Sequence, residues 1–172
     1  GETLEEVGLT KEPPVLGVSI KAPVFPFRRF EGVDTILGPE MRSTGEVMGV
    51  GKTFGTAFAK SQLAAGFAVP TRGTVFITVN DNDKKAVLPI AAEFQKHGFQ
   101  VVATTGTAKF LNENGIKART VYKYSEARPN AVDGIKNGEI DIVINTPFGR
   151  SSYLDEIVLR RACYDSNVLL LT

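Results

Sequence analysis

Val101-Val102-Ala103-Thr104-Thr105-Gly106-Thr107-Ala108 decides how the chain is read. It opens as a strand, apolar and β-branched, with Gly98 upstream as its boundary. It closes on three hydroxyls and a glycine, after which Ala108, Phe110 and Leu111 begin a helical pattern. Strand, short polar turn and helix is a geometry in which the free N–H groups of a helix N-terminus face an anion. The threonine hydroxyls add donors, and Gly106 lets the backbone approach closely. The stretch reads as a phosphate cradle, or, more simply, as a capped strand-to-helix turn, because Thr is a common N-cap.

Working outward, strands and helices alternate on both sides of it. Thr74–Val79 reads as a strand and Asn80–Asp83 as a cap-rich turn. Lys84–His97 reads as a helix with Val87, Ile90, Ala91 and Phe94 on one face, stopped by Gly98. Phe99–Ala103 is the next strand and Thr107–Asn114 the next helix. Arg119–Tyr122 is a short strand, Asn130–Asn137 a short helix, and Ile140–Ile144 a near-continuous apolar strand of the sort buried on both faces. Tyr153–Tyr164 reads as a helix and Val168–Leu171 as a fifth strand. The pattern predicts an α/β fold: a doubly wound, five-stranded, mainly parallel sheet of Rossmann or flavodoxin kind with right-handed crossovers. Because the pattern ends on a strand, the expectation is a domain truncated at its C-terminus.

Residues 1–52 read differently. Five of the nine prolines fall there, at Pro13, Pro14, Pro23, Pro26 and Pro39. Val15–Ile20 can be a strand. Ala22–Phe30 is aromatic-rich but broken by prolines, so it reads as an edge strand or a loop. This part looks like the end of a larger domain. Gly45-Glu46-Val47-Met48-Gly49-Val50-Gly51-Lys52-Thr53 invites a P-loop reading, but Glu46 occupies the place of the first glycine and no clear buried strand precedes it. Residues 53–73 read as a helix and a linker, with Phe54, Ala57, Phe58 and Ala65 able to share a face and Gly66 as the stop.

Composition removes several classes. A net charge of +1 argues against a general nucleic-acid or membrane-surface role. One cysteine, Cys163, allows no internal disulfide, and one histidine, His97, leaves no Cys/His zinc cluster. No apolar run is long enough to span a bilayer, and the N-terminus does not read as a signal peptide.

In an open parallel sheet, ligands bind outside the carboxyl ends of the strands. Thr78, Asn80, Asp81, Asn82 and Lys84 follow the first strand, and Thr104, Thr105, Gly106 and Thr107 the second. Lys123, Ser125 and Arg128 follow the third, and Asn145, Thr146, Gly149, Arg150, Ser151 and Ser152 the fourth. Lys84, Lys123 and Arg150 bring positive charge, and Thr104–Thr107 bring hydroxyls and N–H groups. The rim suits a phosphate or a phosphorylated metabolite. Asp81 and Asp83 stand at a helix start, where capping is the expected role. His97 lies at the other end of that helix, and Cys163 late in the last one. No nucleophile–base constellation is found.

Specific motifs add a resemblance. Leu37-Gly38-Pro39-Glu40-Met41-Arg42-Ser43-Thr44-Gly45-Glu46-Val47-Met48-Gly49, with Phe25-Pro26-Phe27 and Phe30-Glu31-Gly32-Val33-Asp34 before it, resembles the segment closing the second ATP-grasp half of the carbamoyl phosphate synthase large subunit. Residues 74–172 resemble the methylglyoxal-synthase-like domain that follows there, through Ala103-Thr104-Thr105-Gly106-Thr107-Ala108 and Ile144-Asn145-Thr146-Pro147-Phe148-Gly149-Arg150. The resemblance implies a parent ligase making carbamoyl phosphate from bicarbonate, glutamine-derived ammonia and ATP, for pyrimidine and arginine biosynthesis. It implies ATP and Mg or Mn as cofactors of the parent and none in this portion, which is expected to be inactive alone. The implied partners are a nucleotide effector of UMP or IMP type, ornithine nearby, the rest of the large subunit and a glutaminase small subunit. The implied location is the cytoplasm, or the plastid in a plant. Carried over by motif, the effector phosphate meets Lys84, Thr104 and Thr107, with Thr105 and Gly106 in the same turn. Lys123, Asn145 and Arg150 line the rest, with Thr78 and Asp155 adjacent. Pro147 departs from members that carry a second hydroxyl there, and a ligand contact is lost with it.

Two other readings stand beside this one. A methylglyoxal synthase, a lyase acting on dihydroxyacetone phosphate, shares the Thr-Gly-Thr turn but carries its base on a Gly-Gly-Asp motif and a His-Asp pair. Here those places read Tyr124-Ser125-Glu126-Ala127-Arg128-Pro129 and Asn80-Asp81-Asn82-Asp83, so the base is unaccounted for. The other is a structural interaction domain with the rim unoccupied.

Overall fold

The structure is a computed structural model that describes residues 1–12, 14–24, 45–149 and 153–172. The Phe25–Phe30 run, the motif from Leu37 to Thr44, Arg150, Ser151 and Ser152 lie outside the described residues. The described chain forms two compact units, Gly1–Val24 with Gly45–Gly66, and Phe67–Thr172.

In the first unit, strands β1 (Val18–Val24) and β2 (Gly45–Gly51) pair antiparallel, and helix α1 (Phe54–Ala64) packs on them. β2 occupies the stretch that resembled a P-loop. The period-2 signal is weak there because glycine stands at three of seven positions, yet the glycines are what the packing requires. A Cβ on Gly49 would lie 2.0 Å from the Ala57 carbonyl oxygen and 2.6 Å from the Ser61 nitrogen. The helix thus approaches through Ala57 and Ser61, both fully buried. Phe54, expected on the buried face, is exposed and stacks on Phe58 instead, because the contact line runs through small residues. Thr53 caps α1 by accepting from the Thr56 N–H, and Gly66, at φ +86°, ends it.

The second unit is a five-stranded sheet of β3 (Thr74–Val79), β4 (Gln100–Ala103), β5 (Ala118–Thr120), β6 (Ile142–Thr146) and β7 (Leu169–Leu171). Its order is β5-β4-β3-β6-β7, and all four pairings are parallel. Counted from β3, this is the 3-2-1-4-5 order of the Rossmann type, not the flavodoxin order. Helices α2 (Lys84–Lys96) and α3 (Thr105–Glu113) cover one face, where Val87, Ala91, Ala108 and Leu111 pack on Val75, Ile77, Val101 and Ala103. Helices α4 (Ala131–Lys136) and α5 (Tyr153–Ser166) cover the other, where Val132, Ile135, Leu159 and Ala162 pack on Phe76, Val102 and Val143. Strands sandwiched in this way must be apolar on both faces, which is why Val75–Ile77 and Ile142–Ile144 read as unbroken apolar runs.

Three expectations shift. Helix α3 starts at Thr105, not Thr107, so Thr105, Gly106 and Thr107 are its first turn and Thr104 its N-cap. β6 runs two residues further, to Thr146, so Asn145 is on a strand and not in a loop. Ile90 on α2 is exposed, because the buried arc leans toward Leu88 instead.

Gly49→Ala is expected to destabilise the first unit selectively, by roughly 1–3 kcal/mol or more, because the added methyl meets helix backbone that cannot yield. Native-state amide exchange should show faster opening of residues 18–24 and 45–64, with residues 74–146 unchanged.

Candidate functional site

The parallel register sets the site. Ile77 is level with Ala103 on one side and Ile144 on the other, and all three are buried. One residue further along stand Thr78 and Asn145, paired in register, and Thr104. Their side chains share the α4/α5 face with Phe76, Val102 and Val143 one pleat below. At this level the sheet changes from apolar to polar, and a cavity of about 120 Å³ opens over it. Phe76, Thr78, Thr104, Val132, Asn145 and Leu159 are among its walls, and Lys123, Tyr124, Pro147, Phe148, Asp155 and Glu156 complete them. The cavity sits where the connections of β3 and β6 leave for opposite faces, the switch point at which open α/β sheets bind ligands.

Beside it lies a second depression lined by Asn80, Asp81, Lys84, Thr104, Thr105, Gly106, Thr107 and Lys123. Thr104 occupies the N-cap of α3, yet its hydroxyl does not cap the helix. It turns instead to Thr78 Oγ1 at 3.4 Å and Thr107 Oγ1 at 3.3 Å, while the Thr107 hydroxyl donates to the Val79 carbonyl at 3.5 Å. The leading N–H groups of α3, at the exposed Thr105 and Gly106, therefore keep their donor capacity. Lys84 Nζ stands over this turn, 3.5 Å from where a Gly106 Cβ would be. A methyl at Gly106 would only just touch the ammonium, so the approach of Lys84 to the turn is close but not crowded. The rim thus combines N–H dipoles, hydroxyls and an ammonium at one place, the composition that holds an anionic oxygen.

Partnering separates the charges of this rim. Lys84 pairs with Asp81 at 2.7 Å, and that contact lowers the Asp81 pKa. Asp81 is therefore the counter-ion of Lys84 and not a cap. Asp83 holds the N-cap position of α2 without a capping bond and accepts from the Asn80 amide at 2.7 Å. Lys123 has no ion pair among the described residues; its backbone is engaged with Glu126, the N–H donating to the carboxylate at 2.9 Å and the carbonyl accepting from the Glu126 N–H at 3.2 Å. Asp155 accepts from the Ser125 N–H at 3.0 Å and the Ser125 hydroxyl at 2.9 Å. Glu156 pairs with Arg160 at 2.7 Å. Asn145 is 6% exposed, and its side-chain amide has no hydrogen-bond partner among the described residues, so its polar atoms open onto the cavity.

Thr78, Thr104, Lys123, Asn145 and Asp155 thus line the cavity, and Lys84 and Thr104–Thr107 line the depression that shares Thr104 and Lys123 with it. Arg150 lies outside the described residues. Arg128, one of the rim cations, is turned away from any ligand role: it pairs with Asp133 of α4. His97 sits at the far end of α2 beside Glu93, and Cys163 is buried, with its thiol pushed up to about 12 by that burial. Asn80 was placed on the rim by the sequence, but its role there was not, and Tyr124 and Phe148 carried little sequence signal. Asn80 reaches across to β6, donating from its amide to Thr146 O at 3.2 Å and Oγ1 at 3.3 Å. Tyr124 and Phe148 stand at the cavity wall as exposed aromatics, and only strand-end topology could have pointed to them.

This arrangement can be set beside known proteins. Residues 86–172 match the MGS-like domain family. The chain belongs to the MGS-like domain family. Within the matched run fall Thr104–Thr107, Lys123, Asn145 and Asp155, and Lys84 stands just before it. Similarity extends upstream of this MGS-like domain. The chain is 54% identical, over 93% of its length, to the carbamoyl phosphate synthase large chain, C-terminal section, of Aquifex aeolicus, and 50% identical, over 100% of its length, to the carbamoyl phosphate synthase large chain of Synechocystis sp.. It spans 29% and 16% of those two relatives. A methylglyoxal synthase from Elizabethkingia anophelis aligns at 19% identity and a TM-score of 0.45, over 60% of this chain and 72% of its own, too distant to support a further statement. No helix among the described residues is long and apolar enough to cross a membrane, and no group of three or more His, Cys, Asp or Glu among them is placed to hold a metal.

The α4 end of the MGS-like domain rests on a charge that titrates. Asn130 accepts from the N–H groups of Val132 and Asp133, and the Asp133 carboxylate accepts from the Asn130 N–H at 3.0 Å, a capping box. The Arg128 guanidinium and that N–H hold Asp133 at about 2, below the ordinary carboxylate value. A folded-state pKa depressed in this way adds stability that is fully present above about pH 4 and is lost as pH falls toward 2. Asp133→Asn should therefore be less stable than the parent at neutral pH. Denaturant titrations at stepped pH should show the two converging between about pH 4 and pH 2.

Proposed function

We propose that this chain is a regulatory, effector-binding portion of a carbamoyl phosphate synthase large chain, and that its MGS-like domain binds a phosphorylated nucleotide at the strand-end rim. The observation that carries the reading is the convergence of Lys84 Nζ with the uncapped first turn of α3, directly beside a cavity. The phosphate binds at Thr105–Thr107 and Lys84, with Lys123 as second cation. The remainder of the ligand enters the cavity, where the Asn145 amide and the Thr78 hydroxyl supply hydrogen bonds. Arg150 completes the set by motif. In the parent, this portion biases a ligase that makes carbamoyl phosphate from bicarbonate, ammonia and ATP, with Mg or Mn at sites elsewhere in the large chain. It works attached to the rest of that chain and to a glutaminase subunit, in the cytoplasm or plastid, with ornithine acting nearby. The similarity of the whole length to large chains supports this over a free-standing module.

The lyase reading lacks a base. The two carboxylates lining the cavity, Asp155 and Glu156, are already held by Ser125 and Arg160. Among the described residues, the histidine lies at the opposite end of α2.

Isothermal titration of the chain with UMP and with IMP tests the proposal. Saturable binding is expected, weakened in Lys84→Ala by the loss of a charged hydrogen bond, roughly 1.5–3 kcal/mol or about ten- to a hundred-fold. A lesser loss is expected in Lys123→Ala. Equal affinity of the parent and Lys84→Ala, or no binding by a folded sample, overturns it.

A further inference from the structure

We propose that Asn80 is a positioning residue for the phosphate end of the site: it ties the turn between β3 and α2 to the end of β6, and so sets where the Lys84 ammonium stands. The inference rests on the phosphate reading above and deepens it, because it names what holds the cation and not only the cation.

Lys84 is the first residue of α2, and the helix end that carries it is held in an unusual way. Asp83 occupies the N-cap, but its side chain makes no capping bond. Its carboxylate accepts instead from Asn80 Nδ2 at 2.7 Å. The same Nδ2 lies 3.2 Å from the Thr146 carbonyl oxygen and 3.3 Å from Thr146 Oγ1. An amide nitrogen carries two N–H groups, so a single side chain serves a carboxylate at the start of α2 and a residue at the end of β6. The rest of Asn80 closes the turn. Its Oδ1 accepts from the Asn82 N–H at 2.9 Å, and its carbonyl accepts from the Asp83 N–H at 3.2 Å. Its own N–H donates to the Thr146 carbonyl at 3.2 Å. All four polar atoms of Asn80 are therefore engaged, and they join the turn to the strand that floors the cavity.

The side chain of Lys84 is only 20% exposed. A packed stem carries its ammonium wherever the backbone of the first helical turn goes. The bond of that ammonium to Asp81 does not fix the position, because the Asp81 carboxylate is 91% exposed and the pair is solvated. The fixed point is the clasp at Asn80 and Asp83. Only an amide serves there: an Asp would set a second carboxylate against Asp83 and Thr146 O, and a Leu would fill the space without donors. A cation held in advance at the place where it meets an anion loses less freedom on binding.

The test separates the clasp from charge and from general stability. Asp83→Asn and Asp83→Ala remove the same carboxylate from beside the anion, but only the first leaves an oxygen to accept from Asn80. UMP and IMP are titrated to millimolar concentration into the parent chain, both Asp83 variants and Asn80→Leu, with thermal melts to show folding. Asp83→Ala is expected to bind nucleotide roughly fivefold more weakly than Asp83→Asn, the size of one hydrogen bond. Asn80→Leu should fall below the parent by at least that factor, and the Asp83 pair carries the test if that variant does not fold. The ratio between the Asp83 variants should vanish when Lys84→Ala is added to both, and persist when Lys123→Ala is added instead, because only Lys84 is placed by the clasp. A loss that was merely structural would survive both additions. Equal affinity of the two Asp83 variants, parent-like binding by Asn80→Leu, or a ratio that survives Lys84→Ala overturns the positioning role and leaves phosphate binding standing. Binding of neither nucleotide by folded parent chain overturns both.

Discussion

The adjacency of β3 and β6 is the constraint on which the rest of the MGS-like domain depends. β3 is the first strand of the sheet in sequence, β6 the fourth, and the chain must cross back from β5 to bring them together. The pairing is fastened at both ends by side chains. At the lower end, the Thr74 N–H donates to the Asp141 carboxylate at 2.7 Å, and the Asp141 N–H donates to the Thr74 carbonyl at 2.9 Å. Gly73, at φ +125°, passes so close that a Cβ would lie 2.1 Å from that carboxylate, so no other residue fits. At the upper end, Asn80 bonds Thr146 through both its backbone and its amide. Once the two strands are locked in this register, their outgoing loops have to part to opposite faces of the sheet, and the cavity between them is a geometric result.

What fills that opening follows from which polar groups are already satisfied. A buried carboxylate with no partner would repel an anion and carry a desolvation penalty. Glu156 escapes both through the Arg160 guanidinium, and Asp155 has its desolvation offset by the Ser125 N–H and hydroxyl. Each bond does further work in the fold. Asp155 pins the Lys123–Glu126 turn to α5, and the Glu156–Arg160 pair joins successive turns of that helix. The donors on the opposite side are not consumed in this way. Thr104, placed where a helix would normally receive its cap, spends its hydroxyl on Thr78 and Thr107, and so leaves the end of α3 available. Of the groups on the rim, Glu156 is paired with a cation and Asp155 is hydrogen-bonded by Ser125, while the leading N–H groups of α3 receive no side-chain cap.

This distribution explains what could be read from the sequence and what could not. The alternation of Val75–Ile77, Val101–Ala103 and Ile142–Ile144 with amphipathic helices made the parallel sheet legible, since sandwiched strands have no polar face to hide. The Thr104–Thr107 stretch was legible as a strand-to-helix junction because its hydroxyls and glycine break the apolar run, though its helix begins two residues earlier than the pattern indicated. β2 was not legible, because Gly45, Gly49 and Gly51 erase its alternation and their role shows only when α1 is seen 2.0 Å from the missing methyl of Gly49. The role of Arg128 was not legible either. Its spacing to Asp133 is ordinary, and only the capping box at Asn130 turns that carboxylate toward it.

The same reasoning separates cations that look alike in sequence. Lys84, Lys123 and Arg128 all follow strand ends, and composition treats them as one positive rim. Arg128 spends its charge on a carboxylate that is itself fixed by the α4 N-terminus, so an incoming anion would have to compete with a bidentate pair. Lys84 spends part of its charge on Asp81, but that carboxylate is 91% exposed and the pair is solvated, which makes it weak and easily exchanged for a better-placed anion. Asp81 thus holds the ammonium at the Gly106 turn through a solvated pair. Lys123 spends none. The three side chains therefore differ in how firmly a neighbouring carboxylate holds their charge, Arg128 more than Lys84, with no such pair on Lys123 among the described residues, and the difference is set by what each carboxylate is otherwise bonded to.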